Sequence, residues 1–163
     1  MTNPSPEKPK LRTIYRNIAV GLFVSKDGKI LLGKKDPEGG GVYPDCWHIP
    51  GGGVDEEKNE TLLEALEREM REEVGIEVAD GDVKFLDDSG KGGSKKTLES
   101  GEVVWCEMKF NVFEIGIDVN ADEITVIPGD DIVETLWAEK DKLKDLQLTP
   151  PSIELFSKLG YLD

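Results

Sequence analysis

Residues 51–76 read GGGVDEEKNETLLEALEREMREEVGI, and this stretch decides the fold of the chain. It opens on a glycine run and closes on a helix. Leu63, Leu66, Met70 and Val74 recur at steps of three and four residues, a spacing that gathers apolar side chains onto one helical face. The periodicity predicts a helix beginning near Glu60. Gly75 follows directly, where a helix ends on a residue that tolerates positive φ. Glu69, Glu72 and Glu73 sit at i, i+3 and i+4, which sets three carboxylates side by side. Such a trio repels itself and costs stability unless a cation fills the space between. Carboxylate oxygens at this density suit Mg²⁺ or Mn²⁺, which keep positions open for water and substrate phosphates. Arg68, next to Glu69 and four residues before Glu72, is placed to hold one carboxylate. Three glutamates alone are more often a solvated acidic face. The segment in front shifts that balance: Pro50, Gly51, Gly52 and Gly53 predict a sharp turn that exposes amides and carbonyls to a metal or a phosphate.

These residues resemble the Nudix box, G-x5-E-x7-R-E-U-x-E-E-x-G-U with U aliphatic. Gly52, Glu60 and the run Arg68-Glu69-Met70-Arg71-Glu72-Glu73-Val74-Gly75-Ile76 carry the likeness, and every specified position from Glu60 to Ile76 matches. The departure lies upstream, where seven residues instead of five separate Gly52 from Glu60. The resemblance reads as a MutT-like member of the Nudix hydrolases with a two-residue insertion in the loop of the box. It implies an α/β/α sandwich with a mixed β-sheet. It also implies Mg²⁺-dependent hydrolysis (Mn²⁺ being the other candidate ion) of a nucleoside diphosphate linked to another group, by water attack on phosphorus. Carried over by position, Glu69, Glu72 and Glu73 are metal ligands, and Gly51 offers a backbone carbonyl ligand. Arg68 orients the carboxylates, and Glu60 braces the loop and helix. The base that takes the proton from water is Glu69 or Glu72, with Asp131, Glu134 and Glu107 as candidates outside the box.

Signatures that the family carries for particular substrates are missing. No proline of the ADP-ribose type stands at 91–94, no tyrosine of the dinucleoside polyphosphate type occupies a similar offset, and no coenzyme A signature precedes the box. Elimination leaves a nucleoside triphosphate as the default substrate. An NDP-sugar is the rival substrate, and a non-catalytic nucleotide-binding or protein-binding domain is the rival of a different class.

Around the box, residues 15–24 (YRNIAVGLFV) read as a strand, Asp27-Gly28 as a turn and 29–33 as a returning strand. A Gly/Pro loop is expected at 37–45 and a short apolar piece at 47–49. Residues 83–86 read as a strand, and 87–101 as a flexible Gly/Ser/Lys loop whose Lys91, Lys95 and Lys96 are a solvated tip or a mobile lid. Within 103–117, Met108, Phe110 and Val112 alternate with Glu107, Lys109 and Asn111, predicting a strand with one buried face. A strand at 132–139, a short helix at 140–146 and a final helix at 149–160 complete the chain. In the last, Thr149 stands at the N-cap, Pro150 at N1 and Gly160 at C′. His48, the single histidine, is more often a packed or surface residue than a reactive one. Trp47 reads as core, with base stacking the sharper alternative, and Tyr43 and Phe23 as packing.

Composition bounds the partners. With 163 residues, the chain is expected to be one domain over 11–163 behind a flexible tail at 1–10. Acids outnumber bases 34 to 20, a net charge of −14 that opposes nucleic-acid duplexes and anionic membranes while admitting a small nucleotide screened by metal. No apolar run approaches the roughly 20 residues that span a bilayer. Cys46 and Cys106 lack metal-ligand spacing and read as neutral thiols in a reducing compartment, so the expected location is the cytoplasm. A homodimer is the assembly left open.

Overall fold

The computed structural model describes residues 10–38, 43 and 45–162. Residues 1–9 of the expected tail, and residues 39–42 and 44 of the expected loop, lie outside them.

The apolar run of the first strand, β1 (Thr13–Val24), is buried on both faces and therefore sits in the middle of the sheet. Its partners are β2 (Ile30–Lys35), β4 (Gly51–Gly53) and β6 (Val103–Gly116). The pairing with β6 is parallel and the others antiparallel, so the sheet is mixed. With β3 (Trp47–His48), β5 (Asp82–Thr97) and β7 (Ile132–Ala138), it has seven strands in the order β3-β2-β1-β6-β5; β4 adds to β1 and β7 to β2.

Helices cover both faces. On one, Ala19, Phe23 and Leu31 meet Ala65, Leu66, Met70 and Val74 of α1 (Leu62–Val74). Ile18, Val20, Leu22, Ile30 and Leu32 on the other face meet Leu155 and Phe156 of α2 (Pro150–Lys158). The chain thus adopts the expected α/β/α sandwich with a mixed sheet. Gly21 sets how closely α1 approaches: a Cβ there would lie 2.6 Å from Met70 Sδ and 3.1 Å from Ile115 Cδ1. No helix of the described residues is long and apolar enough to cross a membrane.

The helix α1 starts at Leu62, two residues after the expected onset. Thr61 is its N-cap: the Thr61 hydroxyl accepts from Glu64 N at 3.1 Å, and the Glu64 carboxylate accepts from Thr61 N at 3.1 Å. Glu60 therefore remains outside the helix, free to reach across to it. Gly75 ends α1 at φ +69°, as its position predicted.

Several expectations need correction. The glycine run is an extended strand, not a turn, because Gly51, Gly52 and Gly53 pair with Val20, Ala19 and Ile18. The stretch expected as a flexible loop from residue 87 continues as strand β5 to Thr97. β6 offers it a ladder along its whole length, and the Phe110 and Trp105 rings occupy the space above Gly92 and Gly93. Asn111 is buried, not on a solvent face, and its amide donates to the Ile18 carbonyl at 3.1 Å. The expected short helix is a 3-10 helix, Lys140–Asp145. Thr149 precedes α2, but its hydroxyl pairs with Ser152 Oγ at 2.7 Å and makes no cap bond to the backbone.

Thr61→Ala removes half of the reciprocal cap and is expected to cost about 1 kcal/mol of stability. Urea unfolding with an unchanged m-value measures it; a midpoint equal to wild type would mean that the cap contributes nothing.

Candidate functional site

The box side chains are arranged by Arg68. Its guanidinium donates from Nε to Glu60 Oε2 at 2.8 Å and from Nη2 to Glu60 Oε1 at 2.9 Å. Nη2 also reaches the Gly53 carbonyl at 2.9 Å, and Nη1 donates to Glu69 Oε1 at 2.9 Å and Glu72 Oε2 at 3.3 Å. Glu60 further accepts from Asp55 N at 2.9 Å, which ties the loop of the box to the helix. These bonds, led by those from Arg68, hold the Glu60 carboxyl down to about 2. The loop between Gly53 and Thr61 contains a 3-10 turn, Glu56–Lys58, closed by Asn59 in left-handed backbone at φ +53°.

Glu69 packs against Gly52, where any Cβ would collide with its carboxylate. Burial raises the Glu69 pKa, Arg68 opposes that rise, and the charges of Glu72 and Asp130 add to it. Asp130 comes from the segment before β7. Ile127 N donates to Val74 O at 2.9 Å and Gly129 N to Glu73 O at 3.0 Å, so the segment takes two of the carbonyls that the last turn of α1 leaves open. Gly129 is required there, since a Cβ would strike the Glu72 carbonyl. Asp130 follows in left-handed backbone at φ +54°, and oxygens of Glu69, Glu72 and Asp130 all lie within 4.8 Å of one another.

Glu73 faces elsewhere. It is buried, and its Oε1 accepts from Gly51 N at 2.8 Å. Burial, with the charges of Glu69 and Asp131, pushes its carboxyl up to about 8. The structure therefore brings Glu69 and Glu72 together with Asp130, and sets Glu73 and Gly51 together beside them.

Of the acids considered outside the box, none is in the group formed by Glu69, Glu72 and Asp130, although the charge of Asp131 acts on Glu73. Asp131 lies 3.6 Å from Lys35 Nζ, Glu134 is exposed on β7 opposite Lys34, and Glu107 accepts from Trp105 Nε1 at 2.8 Å. Asp130 is the residue that sequence reasoning missed. Its one local signal is Pro128-Gly129-Asp130-Asp131, a turn-forming run just before a strand.

On the α2 side of the sheet, a cavity of about 340 Å³ has Ile18, Val20, Met108, Phe110 and Val112 in its lining and Gly51–Gly53 in its wall. Tyr43, read as packing, borders it and is 41% exposed. Lys91 borders it from β5, a strand rather than a loop tip. Trp47 packs with the core under Lys34, whose Nζ stands 5.0 Å from the ring centre. His48 also borders the cavity; its Nε2 is buried with no hydrogen-bond partner among the described residues, and burial drives its pKa down to about 4. Both cysteines are free thiols, Cys106 buried and Cys46 partly exposed.

The family model of the NUDIX domain matches residues 15–159. The chain is 30% identical over 143 residues to "Nucleoside triphosphatase NudI" of an Enterobacter species, covering 86% of this chain and 94% of that one. It is 44% identical over 67 residues to "RNA pyrophosphohydrolase" of Hydrogenovibrio crunogenus, a match to 40% of this chain. The chain spans only 35% of the length of that relative. Among solved structures, the MutT protein of Methanosarcina mazei superposes with a TM-score of 0.63 at 21% identity, over 94% of this chain and 99% of that one; at that identity the likeness concerns the fold.

His48 is the single histidine, so its titration is directly readable. Its proton NMR signals are expected to titrate with a midpoint near 4, below the ordinary 6.5, and a midpoint at or above 6.5 would contradict its burial. The folded pKa is depressed, so the stability it contributes is complete above pH 6.5 and declines as pH falls from there toward 4. His48→Gln is expected to remove that part of the slope in pH-dependent unfolding.

Proposed function

The chain belongs to the Nudix family, and on that premise we propose that it is a pyrophosphohydrolase. Its substrate is a nucleoside triphosphate or another nucleoside diphosphate-linked compound, and it works with Mg²⁺ or Mn²⁺. The observation that carries this reading is the carboxylate group of Glu69, Glu72 and Asp130, with oxygens within 4.8 Å of one another and Arg68 bonded to the two glutamates.

That donor set fits a hard divalent cation. It is made of oxygen ligands alone, and its mutual repulsion is relieved by positive charge. Glu69, Glu72 and Asp130 would hold the ion, with Glu73 and the Gly51 backbone next in line. A bound ion supplies neutralisation of the pyrophosphate oxygens and a more acidic water.

The chain's own residues supply the remainder. Arg68 keeps Glu69 and Glu72 in fixed orientation while anchoring the glycine strand through Gly53. Glu69 uses Oε1 for Arg68, which leaves Oε2 to accept a proton from an attacking water. Glycine at 52 keeps space for the Glu69 carboxylate that any side chain would fill. The likeness to a nucleoside triphosphatase over most of both chains favours a nucleoside triphosphate over an NDP-sugar.

Wild type, Glu69→Gln and Glu72→Gln should be assayed for phosphate or pyrophosphate release on a panel of nucleoside triphosphates and NDP-sugars, with Mg²⁺ and with EDTA. Turnover by wild type is expected to vanish with EDTA. Glu69→Gln is expected to lower kcat by about 100-fold or more. Equal turnover by the variants would sink the catalytic assignment, and no turnover of any compound by wild type would favour a binding domain.

A further inference from the structure

We propose that Arg16 is a substrate-positioning residue that receives an anionic oxygen of the substrate's diphosphate on the cavity side of the glycine strand; this rests on the pyrophosphohydrolase reading above.

Arg16 stands on β1 opposite Met108 of β6, on the sheet face that floors the cavity. Its guanidinium lies against Gly53, where a Cβ would collide with Nη2 and Cζ. The strand β4 thus has a different chemistry on each side. Gly52 abuts the Glu69 carboxylate on the α1 side, and Gly53 abuts the Arg16 guanidinium on the cavity side. β1 is the one strand that pairs with β4 among the described residues, and on the other edge of β4 side chains take its place: Gly51 N donates to Glu73 and the Gly53 carbonyl accepts from Arg68. A diphosphate passing over that edge would have the carboxylate site at one end and the cavity at the other.

The partners of the surrounding cations single out Arg16. Among the described residues, four cationic side chains border the cavity: Arg16, Lys35, Lys91 and Lys158. Lys35 faces Asp131 at 3.6 Å, and Lys158 binds Ser89 at 2.6 Å and Glu154 at 3.3 Å. Arg16 and Lys91 have no hydrogen bond or ion pair among the described residues. Lys91 is exposed, where water satisfies its ammonium, whereas Arg16 is half-buried. Arg16 thus presents a charged fork of donors, on a partly buried residue, that no acid of the described residues pairs. A planar fork of donors at this point matches two oxygens of a phosphate group. The organic part of the substrate then has Met108, Phe110 and Val112 beside it in the cavity, which is apolar and within the usual size range for a small-molecule site.

The test uses inorganic pyrophosphate as the probe, titrated calorimetrically into the full chain at fixed Mg²⁺ and salt. Wild type is expected to bind, Arg16→Ala to bind about tenfold more weakly or worse, and Arg16→Lys to fall between. Mn²⁺ affinity, read by electron paramagnetic resonance, is expected to be the same in all three, because Arg16 does not touch the carboxylates. On the best nucleotide of the panel, Arg16→Ala is expected to raise KM while kcat changes by less than about twofold. Unchanged pyrophosphate affinity in Arg16→Ala, no pyrophosphate binding by wild type, or a fall in kcat with KM unchanged would overturn the proposal. If Arg16→Ala does not fold, Arg16→Lys carries the comparison. A wild type that binds pyrophosphate through Arg16 but turns over no nucleotide would sink the hydrolase reading and leave the Arg16 assignment standing.

Discussion

The Arg68 guanidinium bonds to three parts of the chain at once: the glycine strand at Gly53, the loop of the box at Glu60, and its own helix at Glu69 and Glu72. The loop of the box, the glycine strand and the two glutamates all meet at it, whereas Asp130 and Glu73 are seated by backbone contacts of their own. Glu60 lies outside α1 because Thr61 starts the helix, so its carboxylate spans the gap between Asp55 and Arg68 and fixes the loop length on both sides. A permanently charged, planar donor is suited to this task, since it binds several carboxylates in one plane without itself titrating. One guanidinium bonds Glu60, Glu69 and Glu72, and with Asp130 beside the last two the group is left with more negative than positive charge.

The sheet makes that convergence possible through its glycines. Gly21 lets α1 descend onto β1 beneath Met70, which carries the carboxylate face of the helix up to the glycine strand. Gly52 then leaves room for Glu69. Gly129 allows the 127–131 segment to seat on the carbonyl end of α1, with Asp130 aimed back along the helix toward Glu69 and Glu72. Each contact is a backbone approach that a methyl group would block, so the site geometry depends on main-chain packing as much as on the acids. The same strand has a second face on the cavity, where apolar side chains replace carboxylates. A small section of extended backbone separates a charged site from an apolar one, which suits a ligand that has both kinds of surface.

How much of this was legible in the residues depended on range. The α1 helix, its end at Gly75 and the side-by-side glutamates follow from spacing within a few turns, and so the sequence alone determined them. The same holds for β1, β2, β6 and β7, whose apolar runs bury faces wherever the partners lie, and for the match of the box from Glu60 to Ile76. The glycine run looked like a turn because glycine is free to be one. It is a strand because β1 offers hydrogen bonds to it, a fact stored some thirty residues away. Residues 87–97 looked flexible for the same reason, and β6 made them a strand.

The site divides along the same line. Glu72 meets Glu69 and Arg68 because it lies three residues from the one and four from the other, spacings that helical geometry alone brings together. Glu73 belongs to the same spacing, yet the fold turns it into a buried bond with Gly51 N. Asp130 is far from the box in sequence and joins it only because Ile127 and Gly129 satisfy the open carbonyls at the end of α1. Arg16 likewise reaches Gly53 only through the pairing of β4 with β1. The sequence by itself determined the helix, its acidic face and the family it marks, because those interactions close within a few residues. The third carboxylate, the orientation of the buried one and the cavity across the glycine strand were decided by tertiary structure, because each rests on a backbone contact between segments that no local pattern connects.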